Sequence, residues 1–201
     1  MKRIIQTKKD AAVDDGSGNP QNGMIVSGKV KFDELGRVTR QGQPNYESSS
    51  EAYVPYSDSV YPTYFAYDTL DRTIEVLTPD AKGSVLVGSI HYAQTTTKYS
   101  FGEFNGRLYA ATTVVDPEGN RPNGPHSGTK TSYKDVDDRI MAVVERNWIK
   151  DPATNATTPV QVVTAYDYDP LGQITTVVDN KGNATTVDYD DLGHRIAITN
   201  P

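Results

Sequence analysis

Three segments near the end of the chain write the same turn: Asp169-Pro170-Leu171-Gly172, Asp179-Asn180-Lys181-Gly182 and Asp190-Asp191-Leu192-Gly193. Their Asp residues stand 10 and then 11 positions apart. Asp at the first position, Pro at the second and Gly at the fourth are type I turn preferences, and Asp116-Pro117-Glu118-Gly119 meets all three. A type I turn closed by a left-handed residue is a common bulged hairpin loop, and Gly takes that backbone without a steric cost. In Asp68-Thr69-Leu70-Asp71 the last place falls to Asp, one of the few other residues that visit the left-handed region. Turns at so short a period leave no room for a helix between them, so the spacing predicts consecutive β-hairpins.

The residues between the turns agree. Segments 173–178, 183–189 and 194–199 are six or seven residues long and rich in Thr, Val, Ile and Tyr, which fit a pleated surface. Ile196 and Ile198 alternate with Arg195, Ala197 and Thr199, as expected of strands with one wetter face. Such alternation accounts for a mean hydropathy of −0.59 in a chain that carries 13 Tyr and 22 Thr. The expected fold is all-β, an antiparallel meander of short hairpins without a thick core.

A longer pattern overlays the turns: an aromatic residue, Asp, then Leu-Gly-Arg and a β-branched run. It appears as Phe32-Asp33-Glu34-Leu35-Gly36-Arg37, Tyr67-Asp68-Thr69-Leu70-Asp71-Arg72 and Tyr168-Asp169-Pro170-Leu171-Gly172-Gln173. Two variants carry an extra residue before Arg, from Tyr133 to Arg139 and from Tyr189 to Arg195. Segment 112–120 matches segment 175–183 at seven of nine positions, including Asp116 with Asp179 and Gly119 with Gly182. The corner residues read this way are Asp33, Gly36, Arg37, Tyr67, Asp68, Arg72, Asp116, Gly119, Tyr133, Arg139, Asp169, Gly172, Asp179, Gly182, Tyr189, Asp190, Gly193 and Arg195. Tyr is expected to end a strand, Asp to open the corner, Leu or Val to tuck it against its neighbour, and Arg to reach back to Asp.

These copies resemble the RHS/YD-repeat proteins, which include shell components of bacterial Tc toxins, polymorphic RHS toxins and teneurins. The order of segments 4–9, 30–37 and 63–72 is most similar to the RHS region of Tc-toxin-B-like secreted bacterial proteins. The resemblance implies a β-strip that spirals into a hollow shell, and a structural role: helping to enclose or present a C-terminal effector of the parent chain. The implied partners are the remainder of that parent and an enclosed toxin domain, and the implied location is secreted or cell-surface through the parent. The alternative is a cell-surface or carbohydrate-binding adhesion module.

One repeat region is expected over 1–201, incomplete at both ends, with loop insertions at about 42–50, 120–129 and 150–159. Arg3-Ile4-Ile5-Gln6 reads as a return strand without its corner, and Asn200-Pro201 as a corner begun and not finished.

Other chemistry finds little footing. A net charge of −6 argues against a nucleic-acid partner, and the absence of Cys excludes disulfides and thiolate metal sites. No apolar run approaches the roughly 20 residues of a membrane span, so no membrane insertion is expected. His91, His126 and His194 lack metal-site spacing. The acidic runs at 14–15 and 135–138 do not fit a twelve-residue calcium loop. Asp188 and Asp190 are a nominal carboxylate pair, but Asp recurs at every corner, so neither an enzyme nor a cofactor is expected. Tyr53, Tyr56, Tyr61 and Tyr64 are the candidates for stacking on sugars.

Overall fold

A computed structural model describes residues 4–14, 16, 18, 20–48, 51–55, 61–121 and 128–201. Every regular element among them is a β-strand, and every pairing is antiparallel. The chain divides into two units, residues 1–94 and 95–201.

In the first unit β1 (Thr7–Val13), β2 (Gln21–Ser27) and β5 (Asn45–Ser48) form a small sheet in the order β1-β2-β5. The β1–β2 turn is held by the Asp14 carboxylate, which accepts the backbone N–H groups of Gly16 and Gly18 at 2.9 and 3.3 Å. The repeat strands are β3 (Val30–Phe32), β4 (Val38–Gln41), β6 (Thr63–Tyr67) and β7 (Thr73–Pro79), in the order β3-β4-β6-β7. Next to β7 lies the start of the long strand β9 (Ile90–Phe104), on which β8 (Val85–Val87) folds back. Val26, Pro62 and Tyr92 are fully buried here, and the Tyr92 ring meets Tyr64 edge-on at 5.4 Å.

The second unit is a plain meander. From the end of β9 the strands β10 (Arg107–Val115), β11 (Thr129–Lys134), β12 (Ile140–Lys150), β13 (Thr157–Tyr168), β14 (Ile174–Val178), β15 (Ala184–Tyr189) and β16 (Arg195–Thr199) lie side by side in chain order. Ala111 and Ala142 are its buried apolar residues among those described. They flank Tyr133 in register, Ala111↔Tyr133↔Ala142, so small residues stand on either side of its ring. The unit is therefore held by ladders and edge contacts more than by a core.

Three expectations change. Residues 42–50 are not all loop, because Asn45–Ser48 is strand β5, in register with β2 from Gly23↔Ser48 to Val26↔Asn45. Residues 150–159 shrink to a tight connection at 151–156, since β12 and β13 stay paired out to Lys150↔Thr157 and the Asp151 carboxylate caps the turn. Ile4–Gln6 precede the first strand instead of forming a return strand. The Gln6 amide acts there as a strand surrogate, with Oε1 accepting from Val54 N at 3.2 Å and Nε2 donating to Val54 O at 3.5 Å. Arg3, Ser49, Ser50 and residues 122–127 of the stretch 120–129 lie outside the described residues.

Candidate functional site: the interlocked corners

Six corners share one geometry. At each, the Asp N–H donates to the carbonyl four residues on, and the N–H three residues on donates back to the Asp carbonyl, all at 2.9–3.2 Å. The corners begin at Asp33, Asp68, Asp135, Asp169, Asp179 and Asp190. The fourth position has positive φ throughout: Gly36, Asp71, Asp138, Gly172, Gly182 and Gly193 lie between 61° and 85°. Five strand pairs carry a bulge at the residue just before or near the corner, at Phe32, Tyr67, Lys134, Tyr168 and Tyr189. That is the bulged hairpin form that relieves the twist of a type I turn.

The Asp side chain supplies the rest. Its Oδ1 accepts the N–H four residues on at 2.8–3.0 Å in all six corners, from Arg37, Arg72, Arg139, Gln173, Asn183 and His194. Its Oδ2 takes the side chain of that same residue in five: Arg37 and Arg72 Nε at 2.7 Å, Arg139 Nε and Asn183 Nδ2 at 2.8 Å, and His194 Nδ1 at 3.0 Å. At Asp33, Asp68, Asp135, Asp179 and Asp190 these bonds favour the carboxylate and hold it below its ordinary pKa range. At Asp33 and Asp190 the main cause is the backbone N–H, and at Asp179 it is the Asn183 amide. At Asp68 and Asp135 partial burial pushes the other way, and the bonds from Arg72 and Arg139 outweigh it.

Successive corners are also tied to each other. The Tyr before one corner donates its hydroxyl to the carbonyl that opens the previous return strand. Tyr67 bonds Val38 O at 2.8 Å, Tyr168 bonds Ile140 O at 2.8 Å and Tyr189 bonds Ile174 O at 2.9 Å. The Arg of the earlier corner lies over the Tyr of the later one, Arg37 at 5.1 Å from the Tyr67 ring and Arg139 at 5.4 Å from Tyr168. A third tie reaches the left-handed position of the later corner. Arg37 Nη1 pairs with Asp71 at 2.7 Å, and Gln173 Nε2 donates to Gly193 O at 3.0 Å. Chain order in an antiparallel meander puts alternate turns at alternate ends, so the corners at Asp135, Asp169 and Asp190 share one edge of the second unit and Asp179 lies on the other.

Four corner readings are corrected. Arg195 does not reach Asp190, because the hairpin fixes the fourth residue on, His194, against the carboxylate and leaves Arg195 as the first residue of β16. Tyr133 stands one residue too early to be a pin; its ring packs on Phe104 at 5.6 Å, while Lys134 takes the place before Asp135 and pairs with Asp138 at 2.9 Å. Gly119 is not left-handed: its N–H donates to the Asp116 carboxylate at 2.9 Å and Asn120 N bonds Asp116 O, so this turn opens a longer connection between β10 and β11. The corner apolar residues are not tucked in. Leu35, Leu70, Val136, Leu171 and Leu192 are 69–100% exposed, since the Asp bonds close the corner without them.

The remaining candidates are scattered. His91 Nδ1 bonds Gly83 O at 2.9 Å, and His126 and Tyr56 lie outside the described residues. Tyr53 lines a depression with Gln6, Met24 and Glu51, Tyr61 lines another beside Pro79 and His91, and Tyr64 packs on Tyr92, so the tyrosines form no common platform among the described residues. No group of three His, Asp or Glu able to hold a metal occurs among those residues.

The family described as RHS Repeat matches residues 168–201, the stretch that holds the corners at Asp169, Asp179 and Asp190. No curated protein matches the chain. Among solved structures it is similar to the crystal structure of TcdB2-TccC3-Cdc42, with a TM-score of 0.65 and 18% identity over 98% of this chain and 10% of that one. It is similar also to TcdB2-TccC3 without its hypervariable C-terminal region, at a TM-score of 0.56 and 17% identity, over 98% of this chain and 11% of that one. The chain thus spans about a tenth of the length of the structures it resembles. Residues 168–201 match the RHS Repeat family, and the chain as a whole is all-β with the fold seen in the TcdB2-TccC3 structures.

Proposed function

We propose that this chain is a structural segment of an RHS-repeat β-shell in a secreted, toxin-related protein, and that the shell encloses a C-terminal effector of the parent chain. The observation that carries this reading is the use of the polar side chains. Among the described residues, the corner Asp, the residue four places on and the Tyr pins spend their polar atoms on one another and on the neighbouring backbone, holding a strand to the next. A row of corners linked by Tyr hydroxyls, as Tyr168 links to Ile140 and Tyr189 to Ile174, is a device for extending a wall. The repeat match and the likeness to the TcdB2-TccC3 structures support the same reading. The corner residues are then structural, the remainder of the parent is the first partner, and residues 1–201 supply one repeat region of the wall.

The test uses the whole parent protein. Added protease should leave its C-terminal effector intact under native conditions, and should cleave it once mild acid or urea has opened the wall. An effector cut as fast in the native parent as in isolation would overturn enclosure.

A further inference from the structure

The first unit brings a lysine amine, a side-chain amide and a carboxylate together out of water. Asn45 and Glu47 lie two apart on β5 and so share one face of the small sheet. The register carries that face through Val26, which is fully buried, to Lys8 on β1: Asn45↔Val26↔Lys8. Lys29 joins them from the link between β2 and β3, its own carbonyl held by the Gly42 N–H at 2.8 Å. The Lys29, Lys8 and Glu47 side chains are only 8%, 10% and 17% exposed.

Glu47 Oε1 is the common point. It accepts from Lys29 Nζ and, at 3.2 Å, from Asn45 Nδ2, while Lys8 Nζ stands 3.7 Å from the other carboxylate oxygen. Two ammonium groups beside one carboxylate leave a surplus positive charge, and a like charge in a dry place favours loss of a proton from one of them. Asn45 Oδ1 is buried and has no hydrogen-bond partner among the described residues. Buried polar atoms are nearly always bonded, so an orphaned amide oxygen beside a buried amine calls for an explanation.

We propose that Lys29 and Asn45 become joined by an isopeptide bond, with Glu47 as the proton relay. Glu47 begins as the carboxylate, since the bond from Lys29 holds it below its ordinary pKa range. Taking a proton from Nζ neutralises both buried groups. The uncharged Nζ, on a flexible four-carbon stem, then attacks Asn45 Cγ. A bond forms from Nζ to Cγ, and the bond from Cγ to Nδ2 breaks as Glu47 hands its proton to Nδ2. Nζ loses two protons in all: one makes the leaving Nδ2 into ammonia, the other makes that ammonia ammonium, and Glu47 returns to carboxylate. No oxidant or reductant is needed. The oxygen that touches both the attacking and the leaving nitrogen is what such a relay requires. The link would close residues 29–45 into a ring around the β3–β4 hairpin and fix it to β5.

The test is the intact mass of the whole chain, purified and incubated at neutral pH. It should be lighter by one ammonia than the sequence requires. Trypsin cuts after Arg37 and Arg40, yet the segments bearing Lys29 and Asn45 should stay joined as one branched peptide, uncut at Lys29. That peptide separates the link from cyclisation at an Asn-Gly step such as Asn105-Gly106, which sheds the same ammonia within one segment. Glu47→Gln should slow bond formation about a hundredfold, and Lys29→Arg should abolish it. An unchanged mass, or ammonia lost without the branched peptide, overturns the proposal, as does Glu47→Gln linking as fast as the unsubstituted chain. The mass is read on the unsubstituted chain, so it decides the matter even where a variant fails to fold.

Discussion

Removing one hydroxyl tests whether corners are tied through their tyrosines. Tyr168→Phe deletes the bond to Ile140 O at 2.8 Å and keeps the ring beneath the Arg139 guanidinium. The loss is one neutral hydrogen bond at a half-buried site, about 1 kcal/mol. With a urea dependence of about 2 kcal/mol per molar, the unfolding midpoint should fall by about 0.5 M. Trp148 lies in β12 of the same unit, so its fluorescence gives the readout without a label. Tyr166→Phe is the control, because Tyr166 sits two residues earlier on β13 and its hydroxyl is not a corner pin. Tyr189→Phe should behave as Tyr168→Phe does, through its bond to Ile174 O. A midpoint for Tyr168→Phe that matches the Tyr166→Phe control would refute the reasoning.

Glycine position sets two other outcomes. Gly182→Ala and Gly193→Ala both place Cβ at positive φ, at a cost of about 1–2 kcal/mol. Gly193→Ala should cost more, since the new Cβ would lie 2.7 Å from Gln173 Nε2 and displace the tie to the previous corner, whereas Gly182 faces open space. Leu171→Ser and Leu192→Ser should shift stability by less than about 0.5 kcal/mol, since these residues are 80% and 81% exposed; urea melts check both pairs. Lowered carboxylate pKa values at Asp33, Asp68, Asp135, Asp179 and Asp190 fix the sign of the pH dependence. Their stabilisation is full above the ordinary value of 3.8 and is lost as pH falls through the lower folded values, so urea midpoints should hold from pH 7 to 5 and drop below pH 4. A midpoint unchanged at pH 2.5 would contradict the corner assignment.

What could be read in advance was what the local backbone dictates. Asp-x-x-Gly is a statement about one turn, complete within four residues, and it located the corners at Asp169, Asp179 and Asp190 along with the strands between them. Side-chain partners were harder, because they depend on register. Whether His194 or Arg195 meets Asp190, and whether Tyr133 is a pin, turns on one residue of offset at a bulge. Strand β5 was hidden for another reason. Asn45-Tyr46-Glu47-Ser48 has no apolar alternation, and its place is set by pairing to β2 and by the ion pair of Glu47 with Lys29, which is 7% exposed. The ties between corners join residues 15 to 34 positions apart, and no spacing rule for a single hairpin contains them.

Each Tyr pin spans one hairpin and no further, and this governs how the strip yields to force. Pulled by its ends, an antiparallel meander peels one strand at a time, loading one rung and then the next. A pin such as Tyr189 to Ile174 adds a catch at every second strand. Asp169 and Asp190 stand 21 positions apart, so releasing one catch frees about 70 Å of chain before the next engages. The strip should therefore be extensible in discrete steps along its length, and one lost catch should soften only the hairpin it served.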